Sequence, residues 1–122
     1  MKSNQTGFLR LIHATRYSWL GLKAAWRCEA AFRQELVGFL VLAPLALWLP
    51  VSGLETLLLI GSVVALIIVE LLNSAVEAVV DRIGDEFHPL SGQAKDMGSA
   101  AVLLTLLMAA ATWAYVLFSN FL

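Results

Sequence analysis

The sequence predicts an all-α membrane protein: an N-terminal amphipathic surface helix followed by three transmembrane helices. Three observations carry this prediction. Of 122 residues, 60% are hydrophobic and 14% charged, against roughly 45–50% apolar content in soluble domains. The apolar residues are gathered into runs long enough to cross a bilayer. The ionisable residues, Glu55 excepted, fall toward one membrane face. The length supports a single domain over residues 1–122.

Residues 8–27, FLRLIHATRYSWLGLKAAWR, form the surface helix. On a helical wheel Phe8, Leu11, Ile12, Trp19, Leu22 and Trp26 share one arc, with Arg16, Lys23 and Arg27 on its flank. An apolar arc rich in aromatics with basic flanks suits the membrane interface. The first span covers 30–49. Pro44 lies inside it, which a membrane helix tolerates, and Trp48 sits at interfacial level. PVSGLE makes a short turn. The second span begins at 54 and continues without a breaker through LLNSAVEAVV into water, ending near Gly84. Residues 85–97 read as an irregular cytoplasmic loop, because Pro89, Ser91 and Gly92 interrupt it. The third span, 98–118, carries no charged residue.

Basic residues set the orientation. Lys2, Arg10, Arg16, Lys23, Arg27 and Arg33 precede or open the first span, and Arg82 and Lys95 flank the 85–97 segment. The turn at 50–55 and the segment after Phe118 carry none. The N-terminus and the 82–96 loop are therefore expected in the cytoplasm and the C-terminus outside, with no cleavable signal peptide.

Composition excludes several chemistries. Cys28 is the only cysteine, so an intrachain disulfide is impossible, and with His13 and His88 alone a Cys/His zinc site is not expected. Neither GxxxxGK[ST] nor GxGxxG occurs. A net charge of −1 gives no reason to expect a nucleic-acid partner.

The informative stretch is VELLNSAVEAVVDR, Val69–Arg82. With Glu70 at zero and about 100° per residue, Asn73 falls at about −60°, Glu77 at about −20° and Asp81 at about +20°. All four share one stripe. Like charges on one helix face repel, so the stripe needs a compensating cation, and Mg²⁺ suits hard oxygens and phosphates. A solvated acidic helix end accounts for Asp81 and for Glu77. It does not account for Glu70, which follows an apolar run and lies nearest the hydrocarbon, where ionisable groups are functional by default. Glu70 is placed to take a proton from a hydroxyl. Asn73 suits a water, a phosphate oxygen, Glu70 itself or an ordinary interhelical amide. Glu29 precedes the first span at a depth similar to Glu77, so two helices could offer both to one metal; a local i,i+4 ion pair of Glu29 with Arg33 is the plainer account. Lys95 suits a phosphate or a snorkelling anchor.

The residues also carry a family resemblance. ELLNSAVEAVVD, Glu70–Asp81, resembles the signature of the bacterial integral-membrane diacylglycerol kinases. HPLSGQAKDMGSAAV, His88–Val102, resembles that family's second block, and EAAFRQE, Glu29–Glu35, the start of its first membrane helix. The resemblance implies a homotrimer of three-span subunits in the bacterial inner membrane. It implies transfer of the ATP γ-phosphoryl group to diacylglycerol with Mg²⁺, in clefts shared between subunits. By match of position it implies Glu70 as the general base, Asn73 as the polar catalytic residue between base and phosphate, and Glu29 and Glu77 as carboxylates that hold the metal and ATP. Lys95, Asp96, Glu86, Phe87 and His88 are implied as nucleotide contacts, with Arg10 and Tyr17 from the surface helix. The implied lipid site takes Arg10, Ser18, Trp19, Lys23, Glu35, Glu70 and Ser99. The chain departs from the usual pattern at Phe87, Pro89 and Gln93, where Tyr, Glu and Arg are frequent, and at His13, Thr15 and Arg16 in the surface helix.

Two other readings follow from the same residues. An undecaprenol kinase of the same family keeps the fold and changes the lipid, but such proteins tend to show ERN…H where this chain has EAAFRQE. A small channel or assembly subunit would use Glu70 on an ion path and GSAA and AAAT for close helix packing. It leaves the one-sided polar clustering unexplained.

Overall fold

The computed structural model describes residues 6–122, so Lys2 lies outside the described residues. Four helices follow in order: α1 (Gly7–Cys28), α2 (Ala30–Trp48), α3 (Gly53–Ile83) and α4 (Pro89–Phe121). Three of them, α2, α3 and α4, are long and apolar enough to cross a membrane. α3 is the central element, packing most extensively on α4 and next on α2, while α1 touches α2.

Local chemistry explains the boundaries. α1 and α2 are separated by Glu29 alone, whose extended backbone (φ −122°, ψ 111°) caps one helix and opens the next. Arg33 reaches back across this break and donates to the carbonyls of Trp26 (2.8 Å) and Arg27 (3.2 Å), satisfying acceptors that the end of α1 leaves open. α2 runs through Pro44 without a break. α3 starts at a capping box: Glu55 N–H donates to Ser52 Oγ (3.1 Å) and Ser52 N–H donates to Glu55 Oε1 (3.0 Å). It stops at Gly84, whose φ of +152° suits glycine and no side-chain-bearing residue.

The expected loop over 85–97 is shorter than its composition indicates. α4 already begins at Pro89, so the connection is confined to residues 84–88. Proline needs no N–H partner in a first helical turn, and His88 Nδ1 accepts from Leu90 N–H (3.1 Å), capping the helix just before it. Ser91 and Gly92 then fall within the helix instead of interrupting a loop.

The apolar core lies at the α2–α3 turn end. Ala46, Leu59 and Val116 are buried there against Leu49, Val51, Ile60 and Trp113. Outward faces of the spans remain apolar, with Leu57, Leu104 and Phe118 all exposed. Such faces suit lipid tails or further copies of the chain.

Candidate active site

The opposite end of α3 carries the acidic stripe. Glu70 is the one buried charged residue among those described, at 5% exposure. Because α2 packs against α3, Glu35 meets it, and the two carboxyl groups come within hydrogen-bond reach. Glu35 Oε2 is buried and has no hydrogen-bond partner.

One helical turn beyond Glu70, Asn73 Nδ2 donates to Glu77 Oε1 (3.0 Å). Of the partners that suit Asn73 by sequence, the structure shows a neighbouring carboxylate, but Glu77 instead of Glu70. The other amide atom, Asn73 Oδ1, is buried without a partner and lies against Gly98 of α4. Glu77 and Glu29 both lie near enough for their charges to act on Glu70. The anticipated Glu29–Arg33 ion pair does not form, because Arg33 is drawn to the α1 carbonyls. The ion pair found among the described residues is Lys95 Nζ with Asp81 Oδ1, at 2.9 Å. Lys95 lies outside the apolar run of α4, and the Asp81 carboxylate pushes its pKa above the usual lysine value.

Two cavities adjoin the stripe. One, of about 270 Å³, lies where α3, the 84–88 connection and the first turns of α4 converge. It unites Glu86, Phe87, His88 and Lys95, all predicted nucleotide contacts, with Asp81 and Ser91, which sequence reasoning left out. The position of Asp81 on the stripe was the available signal, and its solvent-facing depth hid it. The other cavity, of about 630 Å³, separates α1 from α3 and is lined by Ser18, Leu22, Ala25 and Glu29 on one side and Leu71, Ser74, Ala75 and Ala78 on the other. Of the predicted lipid-side residues, Ser18 lines this space and Glu35 meets Glu70. Arg10, Tyr17, Trp19 and Lys23 are exposed on α1 and line neither cavity, and Asp96 and Ser99 are likewise exposed on α4.

Among the described residues no group of three or more Asp, Glu, His or Cys side chains converges on one point. That donor set still fits Mg²⁺, which takes one or two protein carboxylates and fills its shell with phosphate and water. Glu29 and Glu77 have the hard oxygens it prefers.

Comparison with known proteins gives a consistent result. The family model described as prokaryotic diacylglycerol kinase matches residues 16–117. A diacylglycerol kinase of Escherichia coli strain K12 is 58% identical over 121 residues, 99% of both chains. One of Pseudomonas aeruginosa is 52% identical over 113 residues, covering 93% of this chain and 92% of that one. One of Haemophilus influenzae is 49% identical over 113 residues, covering 93% and 96%.

Proposed function

The chain belongs to the prokaryotic diacylglycerol kinase family and is a lipid kinase, and on that premise we propose that it phosphorylates diacylglycerol to phosphatidic acid with ATP at the cytoplasmic face of the bacterial inner membrane. In this reading α1 lies on the membrane surface, α2 to α4 cross it, the C-terminus is outside, and the working unit is a homotrimer. The channel reading is set aside by the kinase relatives.

The observation that supports the mechanism is the graded depth of the α3 stripe. Glu70 is buried beside Glu35. Glu77 is about two turns nearer the 84–88 connection. Lys95 and Asp81 meet at the cavity there. A lipid hydroxyl arrives from the hydrocarbon side and a nucleotide from water, so a stripe spanning both depths suits a reaction between them.

Glu70 accepts the proton of the diacylglycerol hydroxyl as its oxygen bonds to the γ-phosphorus. The bond from that phosphorus to the β-phosphate oxygen breaks, and ADP leaves with the electron pair. Such transfers rely on positioning and charge neutralisation more than on covalent work by the protein. Lys95 sets a positive charge against the phosphates. Asn73 holds the carboxylate of Glu77 in one orientation. Mg²⁺, bound with ATP, supplies further charge neutralisation, and Glu29 and Glu77 would hold it.

Presenting diacylglycerol and undecaprenol separately in detergent, with ATP and Mg²⁺, tests the assignment. Turnover is expected with diacylglycerol. Turnover with undecaprenol alone would replace the substrate, and ATP turnover with neither lipid would overturn the kinase mechanism proposed.

A further inference from the structure

Gly98 stands apart from the other seven glycines of the chain. A Cβ added at any of those meets nothing within 4 Å, whereas at Gly98 it would overlap Asn73 Oδ1. At this point of the α3–α4 contact a residue with no side chain faces a residue of the acidic stripe.

The overlapping atom decides what this glycine does. It is the tip of a side chain, not backbone, so an added methyl does not force the helices apart. It forces the amide to turn. Asn73 Oδ1 and Nδ2 belong to one planar carboxamide, so displacing the oxygen also moves the nitrogen that donates to Glu77 Oε1 at 3.0 Å. The reverse placement of the amide would set its oxygen against the carboxylate, with no hydrogen to share. Its oxygen is therefore held in a buried notch, with no hydrogen-bond partner, while its nitrogen serves Glu77. A buried, unpartnered carbonyl oxygen costs free energy, and such exceptions call for a reason.

We infer that Gly98 is a positioning residue of the kinase site: its bare Cα makes the notch that seats the Asn73 carboxamide and so fixes the carboxylate of Glu77. The inference rests on the stripe being the phosphoryl-transfer site, and it assigns to α4 a part in the geometry of α3.

The test compares Gly98→Ala, Asn73→Ser and the double variant, each as the purified oligomer in detergent. Diacylglycerol-dependent turnover, oligomer size and melting are measured. So is Mn²⁺ binding in the presence of a non-hydrolysable ATP analogue, read by electron paramagnetic resonance. Gly98→Ala is expected to lower kcat on the order of 100-fold, the scale of a misplacement of about 1 Å, and to weaken Mn²⁺ binding, with size and melting unchanged. Serine is short enough to leave the notch, so in the Asn73→Ser background Gly98→Ala is expected to cost nothing further. Multiplicative losses would mean that Gly98 acts independently of Asn73 and would overturn the inference. Full activity in Gly98→Ala with an impaired Asn73→Ser would also overturn it while leaving the site reading intact. Full activity in Asn73→Ser would overturn the site reading itself, and the role of Gly98 with it. If Gly98→Ala does not assemble, recovery of assembly in the double variant supports the notch, and failure to recover assigns Gly98 to helix packing instead.

Discussion

The two ends of the α3–α4 pair treat polar groups in opposite ways. At the α2–α3 turn, Ser52 and Glu55 cap each other, Glu55 Oε2 accepts from Asn120 Nδ2 (2.8 Å), and Trp113 Nε1 donates to the Leu59 carbonyl (3.2 Å) beside the buried Ala46–Leu59–Val116 core. At the other end Glu70 is buried against a second carboxyl group, with further acidic residues nearby, and Glu35 Oε2 and Asn73 Oδ1 are buried without partners. Satisfied polar groups hold elements together, whereas unsatisfied ones are retained where something other than stability requires them. The first end is an anchor, and the second is where the proposed reaction would place its substrates.

Variants at the two ends should separate stability from activity. The largest effect is expected from Glu70→Gln, which keeps shape and removes the proposed base: diacylglycerol-dependent turnover should fall by about 100- to 10,000-fold, with oligomer size and nucleotide binding retained. Near-normal turnover would remove Glu70 from the mechanism. Next, Lys95→Met should raise the KM for ATP by about tenfold or more, because the proposed charge-assisted contact to phosphate would be lost. Equal losses for ATP affinity and for thermal stability would instead make Lys95 a strut against Asp81.

Smaller effects are expected at the anchoring end, and on the opposite readout. Ser52→Ala removes one half of the capping box and should cost about 1 kcal/mol of stability, seen as a lower melting temperature with kcat preserved. Trp113→Phe keeps an aromatic ring but loses the bond to the Leu59 carbonyl, about 0.5–1.5 kcal/mol, and part of the indole's packing on the core. Thermal inactivation in detergent measures both. A large loss of kcat in either variant would break the division between the two ends.

Much of this was legible in the chain because helix periodicity and bilayer thickness are local constraints. The existence of α1, the three spans and the alignment of Glu70, Asn73, Glu77 and Asp81 follow from spacing alone. The extent of the 84–88 connection was misread from composition: Ser91 and Gly92 look like loop residues, but His88 and Pro89 start a helix ahead of them. Glu29 and Arg33 are spaced for an ion pair, yet the helix break at Glu29 exposes carbonyls that compete for the guanidinium.

Pairings between helices were beyond reach. No spacing rule connects Glu35 with Glu70, Lys95 with Asp81, or Gly98 with Asn73, because each depends on how far one helix slides and turns against another. Local spacing accounts for the surface helix, for three segments long and apolar enough to cross a membrane and for the acidic face of α3, since those depend on neighbours within a few residues. Packing between helices is what brings Glu70 to a second carboxyl group and sets the Asn73 amide, bonded to Glu77, against Gly98. Those contacts are set by close packing across helices, where the absence of one methyl group determines which side chain fits.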